Sequence, residues 1–404
     1  MTVRGAVGAL ASRVWPGLEE FVYNRNRNRA FPDSFRRSPR DQIQLSEPRP
    51  PHIVVVPLEG PSTPDWGPAR GNYFYEVHRT AVERFGEDAV SVVDVALSGG
   101  LPWPDAVADH LKASGATHMI AHLERDPGSA DDWNWDRAWS AIANSWDGVF
   151  IGVTFDSGFP LIRMKARRLA RISPSFVCLD ICVPMDGRLV KGRTEVGPVP
   201  LVQSRQTQEL LLARIQGEPK DIDVSFIGAL YPYRVELVET LRGNGVNVVV
   251  NPHRQEATTD LASSRTNQPS WLDYMAGLAR SQMTLNFSLA SSGRDQQLKW
   301  RVMEATLAGS LLLTDDHVRT AEFFSRGEEF DEFSSPDDLV EVVERWLAQS
   351  DRLATAQHHA QVKALELAQS EFWNRIDRTL QVRGLPDLPS TVKLDDGTPT
   401  ERAR

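Results

Sequence analysis

The sequence predicts an α/β protein built as two open parallel-sheet domains that face each other across a cleft. Three observations predict it. Short apolar runs alternate with longer helical stretches from His52 to Ile181. Residues 184–220 then show no sustained apolar period and are broken by Gly187, Gly192, Gly197, Pro198 and Pro200. The alternation restarts at Asp223 and continues to Thr314. Strands that alternate with helices build parallel sheets, and a connector between two such series separates two domains.

Length and charge set the bounds. The chain has 404 residues, room for two domains of ordinary size. Its net charge of -9 argues against general nucleic-acid binding but leaves room for a local basic pocket. No run approaches the roughly 18 uncharged apolar residues that span a bilayer, and the start Met1-Thr2-Val3-Arg4-Gly5-Ala6-Val7 carries no secretory signature. A reducing, cytoplasmic setting follows, with Cys178 and Cys182 as buried free thiols on one face of a strand. No histidine or cysteine cluster completes a metal site, so none is expected.

Residues 1–50 form an arm. Ala6 to Tyr23 places Leu10, Val14, Leu18 and Phe21 on one side of a helix. The polar, basic run Asn24 to Arg29 follows, and five prolines from Pro32 to Pro51 break regular structure. An arm packed on the body is the plainer reading; basic residues beside an apolar helix face suit an anionic surface, so a peripheral membrane contact with acidic lipid, or a contact with a partner, is the sharper alternative.

The first domain, 51–200, opens with the buried strand His52 to Pro57. A Gly/Pro-rich loop and a helix from Asn72 to Phe85 follow. Further strands are expected at Val90–Val95, His118–His122, Val149–Phe155 and Phe176–Ile181, with helices at Pro104–Ala113 and Trp135–Trp146. The second domain, 201–382, starts with the strand Asp223 to Gly228. Its helices are expected at Val235–Leu241, Trp271–Arg280 and Lys299–Ala308, and its strands at Val246–Val250, Met283–Phe287 and Ser310–Thr314. Ser335-Pro336-Asp337-Asp338 caps a helix that runs to Leu347. Two more helices are read at Arg352–Ala368 and Glu371–Val382, and 383–404 reads as a disordered tail.

Ligands of open α/β sheets sit beyond the carboxyl ends of the strands. That rule selects Gly228, where backbone approaches a ligand closely, the loop Asn251-Pro252-His253-Arg254, and the loop Ser288 to Gln297 with its small residues and Arg294. The last loop feeds the amino end of a helix, where unpaired N–H groups attract anions. Lys299 at that end opposes the helix dipole unless an anion lies in front, as a diphosphate would. Glu304, one turn deeper, has a carboxylate able to accept both hydrogen bonds of a vicinal diol. Asp315 and Asp316 after the last strand read as caps of the next helix. The bland reading of Lys299 and Glu304 is a solvated helix face.

The stretch Lys299-Trp300-Arg301-Val302-Met303-Glu304-Ala305, continuing through Gly309 to Leu312-Leu313-Thr314-Asp315, resembles the K-x-R-x-x-E-A-x-x-x-G-x-x-L-L-T-D core of group 1 glycosyltransferases of the GT-B fold. It is most similar to the spore-maturation-type branch. Asp223-Val224-Ser225-Phe226-Ile227-Gly228 through Arg234 resembles that branch's D-V-x-F-x-G…R opening. Leu285-Asn286-Phe287-Ser288 resembles its L-N-F-S strand, and Gly327-Glu328-Glu329 with Ser335 to Leu339 its ending. The likeness covers 223 to about 380; the first domain matches in architecture alone.

The resemblance implies two Rossmann-like domains, acceptor first and donor second. It implies transfer of a sugar from a nucleotide diphosphate sugar, the co-substrate, to an acceptor hydroxyl, with no metal or other cofactor. Glu304 would bind the donor ribose, and Lys299 with Arg294 or Arg301 the diphosphate. Gly228 would let backbone approach the donor, and Arg234 and Ser288 complete the donor-binding set. Many relatives carry a further glutamate eight residues before the one aligned with Glu304; Gln296 stands there, which puts the usual grip on a sugar hydroxyl in question. An inverting reaction would draw a base from Glu59, His122, Glu124 or Asp156, each beside an expected strand end of the first domain and each more often structural or acceptor-binding than catalytic; a retaining reaction needs no side-chain base. A catalytically silent sugar-nucleotide-binding scaffold and a sugar-nucleotide epimerase of the same fold are the alternatives.

Overall fold

The computed structural model describes residues 50–57, 73–93, 103–123, 139–143, 146–155, 160–182, 197–228, 230–252, 270–289 and 296–391. The arm 1–49, Glu59, Glu124, Asp156, His253, Arg294 and the tail from 392 lie outside the described residues.

The first sheet contains β1 (Ile53–Val56), β2 (Val90–Val92), β3 (His118–His122), β4 (Val149–Thr154) and β5 (Val177–Asp180). All its pairs are parallel, in the order β2-β1-β3-β4-β5. Helices α1 (Tyr73–Phe85), α2 (Trp103–Ser114) and α3 (Pro160–Ile172) connect its strands, and residues 139–143 are helical. β1 and β4 are buried along their whole length, as strands covered on both faces must be.

After α4 (Arg205–Ile215) the pattern repeats: β6 (Ile222–Phe226), α5 (Pro232–Gly243), β7 (Val248–Val250), α6 (Trp271–Ala279), β8 (Ser281–Asn286), α7 (Trp300–Leu307), β9 (Leu311–Thr314) and β10 (Phe330–Glu332). The second sheet is also parallel throughout, in the order β10-β9-β8-β6-β7. Read from its other edge, it has the topology of the first. The strand order reverses at β1/β3 in one sheet and at β6/β8 in the other, and crevices open at such points. Helices α8 (Pro336–Leu347) and α9 (Ser350–Arg383) close the fold.

Four expectations change. The connector contains α4, begun by Ser204, whose hydroxyl accepts the Thr207 N–H. The two terminal helices are one 34-residue helix. The packed chain continues past the expected start of the tail: Leu388 is buried and the Pro386 carbonyl bonds His118 Nε2 at 3.0 Å. Cys178 and Cys182 are buried and form no disulfide, but they join different apolar clusters. β5 stops at Asp180, whose Oδ1 accepts the Cys182 N–H at 3.0 Å and turns the chain before Cys182 is reached.

One apolar cluster runs through both lobes. Trp300, at the start of α7, stacks on Tyr73 of α1 at 5.8 Å and meets Phe155, just beyond β4, edge-on at 5.3 Å. The Leu298 N–H donates to the Cys182 carbonyl at 2.8 Å. The carboxyl edge of the first sheet is therefore seated against the amino end of α7. Among the described residues no helix is long and apolar enough to cross a membrane.

Candidate active site

β6 delivers Ile227-Gly228 to the carboxyl edge of the second sheet. Gly228 has φ 141°, and a Cβ there would stand 3.1 Å from the Phe226 ring. The positive φ strains any side chain there and the Phe226 ring would have to shift slightly, so glycine leaves the backbone exposed at the strand end. The Gly228 N–H donates to Asn251 Oδ1 at 3.0 Å, and the Asn251 N–H donates to the Phe226 carbonyl at 2.7 Å. Asn251 sits at φ 54°, which asparagine tolerates better than most residues. These bonds tie the ends of β6 and β7 together.

β8 delivers Ser288. Its N–H donates to Asp315 Oδ1 at 2.5 Å, while its buried hydroxyl has no partner among the described residues. An unpartnered buried hydroxyl is costly, and this one lies beside the β6/β8 reversal. Gln296 Nε2 donates to the Asp315 carbonyl at 3.2 Å, a bond a carboxylate could not make. The glutamine that departs from the family pattern thus closes the loop. Asp316, as expected, caps the turn after β9: its carboxylate accepts the N–H groups of Val318, Arg319 and Thr320.

α7 begins after Lys299, which provides no side-chain cap. The Val302 N–H turns back to the Lys299 carbonyl at 3.0 Å, and the amides of Trp300 and Arg301 are left for other acceptors, at the positive end of the helix dipole. Lys299 is half-buried and its Nζ donates to Gln297 Oε1. Arg301 faces inward: Nη2 donates to the Ile227 carbonyl at 3.0 Å, and Nη1 donates to the Tyr274 hydroxyl and lies 3.4 Å from Glu304 Oε2. The Tyr274 hydroxyl donates to the same Oε2 at 2.6 Å. Burial pushes the Tyr274 phenol well above its ordinary pKa, so it stays protonated and remains a donor. Glu304 Oε2 is thus held twice, and Oε1 has no partner among the described residues.

The structure gathers Gly228, Ser288, Lys299, Arg301 and Glu304 along one sheet edge and one helix start. Arg234 lies in the first turn of α5, beside the same strand ends, with its guanidinium 5.6 Å from the ring of Phe226 at the end of β6. Its Nε donates to Tyr233 Oη at 2.8 Å, and its guanidinium lies 4.7 Å from the Tyr231 ring and 5.2 Å from that of Phe287. On the first lobe, His122 ends β3, with its ring 5.4 Å from Phe74 and 5.1 Å from Phe155. It is one ring removed from Trp300. Sequence reasoning missed Tyr274 and Trp300; neither carries a spacing signal, because their partners lie on other elements. Among the described residues no three His, Cys, Asp or Glu side chains are placed to hold a metal ion.

Two parallel five-stranded sheets with helices, each of the same strand order, give the architecture of the GT-B fold. Residues 206–381 match the family described as glycosyl transferase-like. Sucrose-phosphate synthase from Thermosynechococcus elongatus shares the fold, with a TM-score of 0.51 at 10% identity over 82% of this chain and 99% of that one. Anabaena HepE in complex with UDP-glucose is similar at a TM-score of 0.49 and 12% identity over 82% and 99%. AviGT4, a glycosyltransferase involved in avilamycin A biosynthesis, scores 0.45 at 15% identity over 82% and 99%. No curated protein matches this sequence.

Proposed function

We propose that the protein moves a sugar from a nucleoside diphosphate sugar to an acceptor hydroxyl, without a metal, at the β6/β8 edge beside α7. The observation that carries this reading is Glu304. One of its oxygens is fixed by Tyr274 and Arg301, and the other is left open. A carboxylate so oriented is prepared to accept the paired hydroxyls of a ribose.

In this reading the diphosphate lies against bare backbone at Gly228 and the uncapped start of α7. Lys299 gives up its bond to Gln297 and turns to the phosphates. Charge builds on the leaving diphosphate as the glycosidic bond breaks, and fixed N–H dipoles with one ammonium stabilise it without reorganising. Arg301 positions Glu304 and the β6 end rather than touching the phosphates. The Ser288 hydroxyl provides a further bond to the donor. The first lobe holds the acceptor, with His122 as the described base candidate should the reaction invert the anomeric carbon. The K-x-R-x-x-E core supports membership of the spore-maturation-type branch, with 51–200 as acceptor domain and 201–382 as donor domain; the two unbridged thiols suit a reducing, cytoplasmic setting.

The test uses the full chain with labelled UDP-, GDP- and dTDP-sugars, with and without candidate acceptors. Turnover should release the nucleoside diphosphate, and Glu304→Gln should lower kcat/KM roughly 100-fold, because a charge-assisted pair of bonds is lost. Tight nucleotide binding with no turnover would instead assign a silent scaffold. Interconversion of sugars with no acceptor product would assign an epimerase.

A further inference from the structure

A second concave surface lies at the amino edge of the second sheet. An open cavity of about 700 Å³ sits where β6, β8 and β9 begin, between α4, the carboxyl ends of α6 and α7, and the first half of α9. Ile215, Ala279 and Ala308 give it an apolar lining, and its volume suits a small molecule. The candidate active site is at the opposite ends of the same strands, roughly 20 Å away along β8. None of the residues assigned to that site borders the cavity.

The α9 wall of the cavity is built for hydrogen bonding. Ala354, Gln357, His358 and Gln361 share one helix face, three and four residues apart. Gln357 is more than nine-tenths buried, and its Nε2 donates to the Gln282 carbonyl at 2.6 Å. Gln361 Nε2 donates to the Leu307 carbonyl, at the end of α7, at 2.9 Å. A carbonyl only accepts, so each amide is fixed with its nitrogen toward the backbone. Both Oε1 atoms are then left without a partner among the described residues, and neither is sealed from solvent. Their side chains start about 6 Å apart. Lys220, just before β6, adds a donor. Its Nζ donates to the Ser281 carbonyl at 3.0 Å and the Gly309 carbonyl at 2.5 Å, which leaves one of its three protons. Desolvation lowers the Lys220 pKa to about 8, so the ammonium is still the main form at neutral pH.

We propose that this cavity is a second binding site, separate from the transfer site, for a neutral saccharide. Two amide oxygens one helical turn apart, the Glu209 carboxylate on the α4 side and one ammonium proton match a ligand that donates several hydrogen bonds and accepts a few. A row of sugar hydroxyls does both, and the apolar lining suits the C–H face of the ring. The charges of the lining argue against an ion. Glu209 and Glu218 stand against Lys220, and Glu218 is already paired with Arg214 at 2.6 Å. A phosphate would meet carboxylates and amide oxygens, and a polyamine would meet the ammonium. The inference needs no part of the transfer reading; it gives the second lobe a hold on saccharide away from the reacting centre.

The experiment reads binding, so it stands apart from donor turnover. Saturation-transfer NMR is run on the full chain with maltotriose, cellotriose and chitotriose at millimolar concentration, with and without excess UDP. Spermidine and inorganic phosphate run in parallel. At least one trisaccharide should receive saturation, and UDP should not displace it. Gln361→Met removes one amide oxygen and should weaken binding about tenfold. Ala213→Leu/Ala354→Leu, at two exposed wall positions, narrows the cavity. That double variant should lose the signal while its urea midpoint and donor turnover stay at wild-type values. Glu366→Gln, on the same helix but outside the cavity, should bind as the wild type does. Absence of transfer to all three trisaccharides overturns the proposal, as does equal binding in the narrowed variant or displacement by UDP. Spermidine or phosphate bound in place of the sugars would give the cavity to an ion and overturn it too. A protein that binds a trisaccharide here yet turns over no nucleotide sugar would sink the catalytic reading and leave this site standing.

Discussion

Arg301 turns its guanidinium toward the protein's own backbone, and that decides what it does. It bridges the Ile227 carbonyl at the end of β6 to Tyr274 on α6, beside Glu304. Lysine has one nitrogen and cannot reach both acceptors in that fork geometry. Arg301→Lys keeps the charge, yet should weaken nucleoside diphosphate binding about tenfold and lower stability by about 1–2 kcal/mol. Isothermal titration and urea unfolding read the two effects, and unchanged affinity would show that any cation suffices there. At this scale the sequence picked out residues that the fold brings together better than it showed what holds them. Glu304 and Lys299 stood out because one helix start carries both. Tyr274 did not, since it is 30 residues away on another helix and meets Glu304 only when α6 and α7 pack. The same packing explains why Arg301 looked available to a phosphate and is instead engaged.

Elements were legible where their ends carry local chemistry. Ser335-Pro336-Asp337-Asp338 announced α8, and Ser335 Oγ accepts the Asp338 N–H at 3.1 Å. Ser335→Ala should therefore cost about 1 kcal/mol, seen as a lower urea midpoint with an unchanged slope; a smaller shift would mean that Asp338, which also bonds Ser334, holds the helix start by itself. α4 was hidden because Leu210, Leu211 and Leu212 are consecutive and show no period; Leu211 is buried and its neighbours are exposed. β10 was hidden because two of its three residues are acids. Asp331 and Glu332 are buried by pairing with Arg345 and Arg326, partners no local window contains. α9 was divided at the polar Gln369-Ser370, yet Ala360, Ala364, Ala368, Phe372, Ile376 and Leu380 recur every four residues and are all buried. The four-residue repeat outlasts the local interruption, because one face of the helix stays in the core from end to end.

Across the whole molecule, α9 is the tie between the lobes. Its first half packs on the second sheet, where Gln357 Nε2 donates to the Gln282 carbonyl at 2.6 Å. Its second half crosses to the first lobe: Trp373 Nε1 donates to Thr80 Oγ1 at 3.0 Å, Arg84 pairs with Asp377 at 3.2 Å, and Arg383 donates to the Phe176 carbonyl at 2.6 Å. The segment just past the helix then meets His118 through the Pro386 carbonyl. Burial holds the His118 imidazole below its usual pKa, against the opposing pull of Pro386 and Asp387, and burial lowers His78 and His110 too. For each, the unfolded chain takes up a proton at a higher pH than the folded protein does. Stability is thus full above the unfolded value of about 6.5 and declines as pH falls through it, levelling off below the folded values. Glu83 and Asp377, raised by burial, act in the opposite sense but at the lower pH of carboxylates. The urea midpoint should therefore fall between about pH 7.5 and 5.5. His118→Gln keeps a donor for Pro386 but does not titrate, so its midpoint should fall less over the same interval; an equal fall in both proteins would remove His118 from the account.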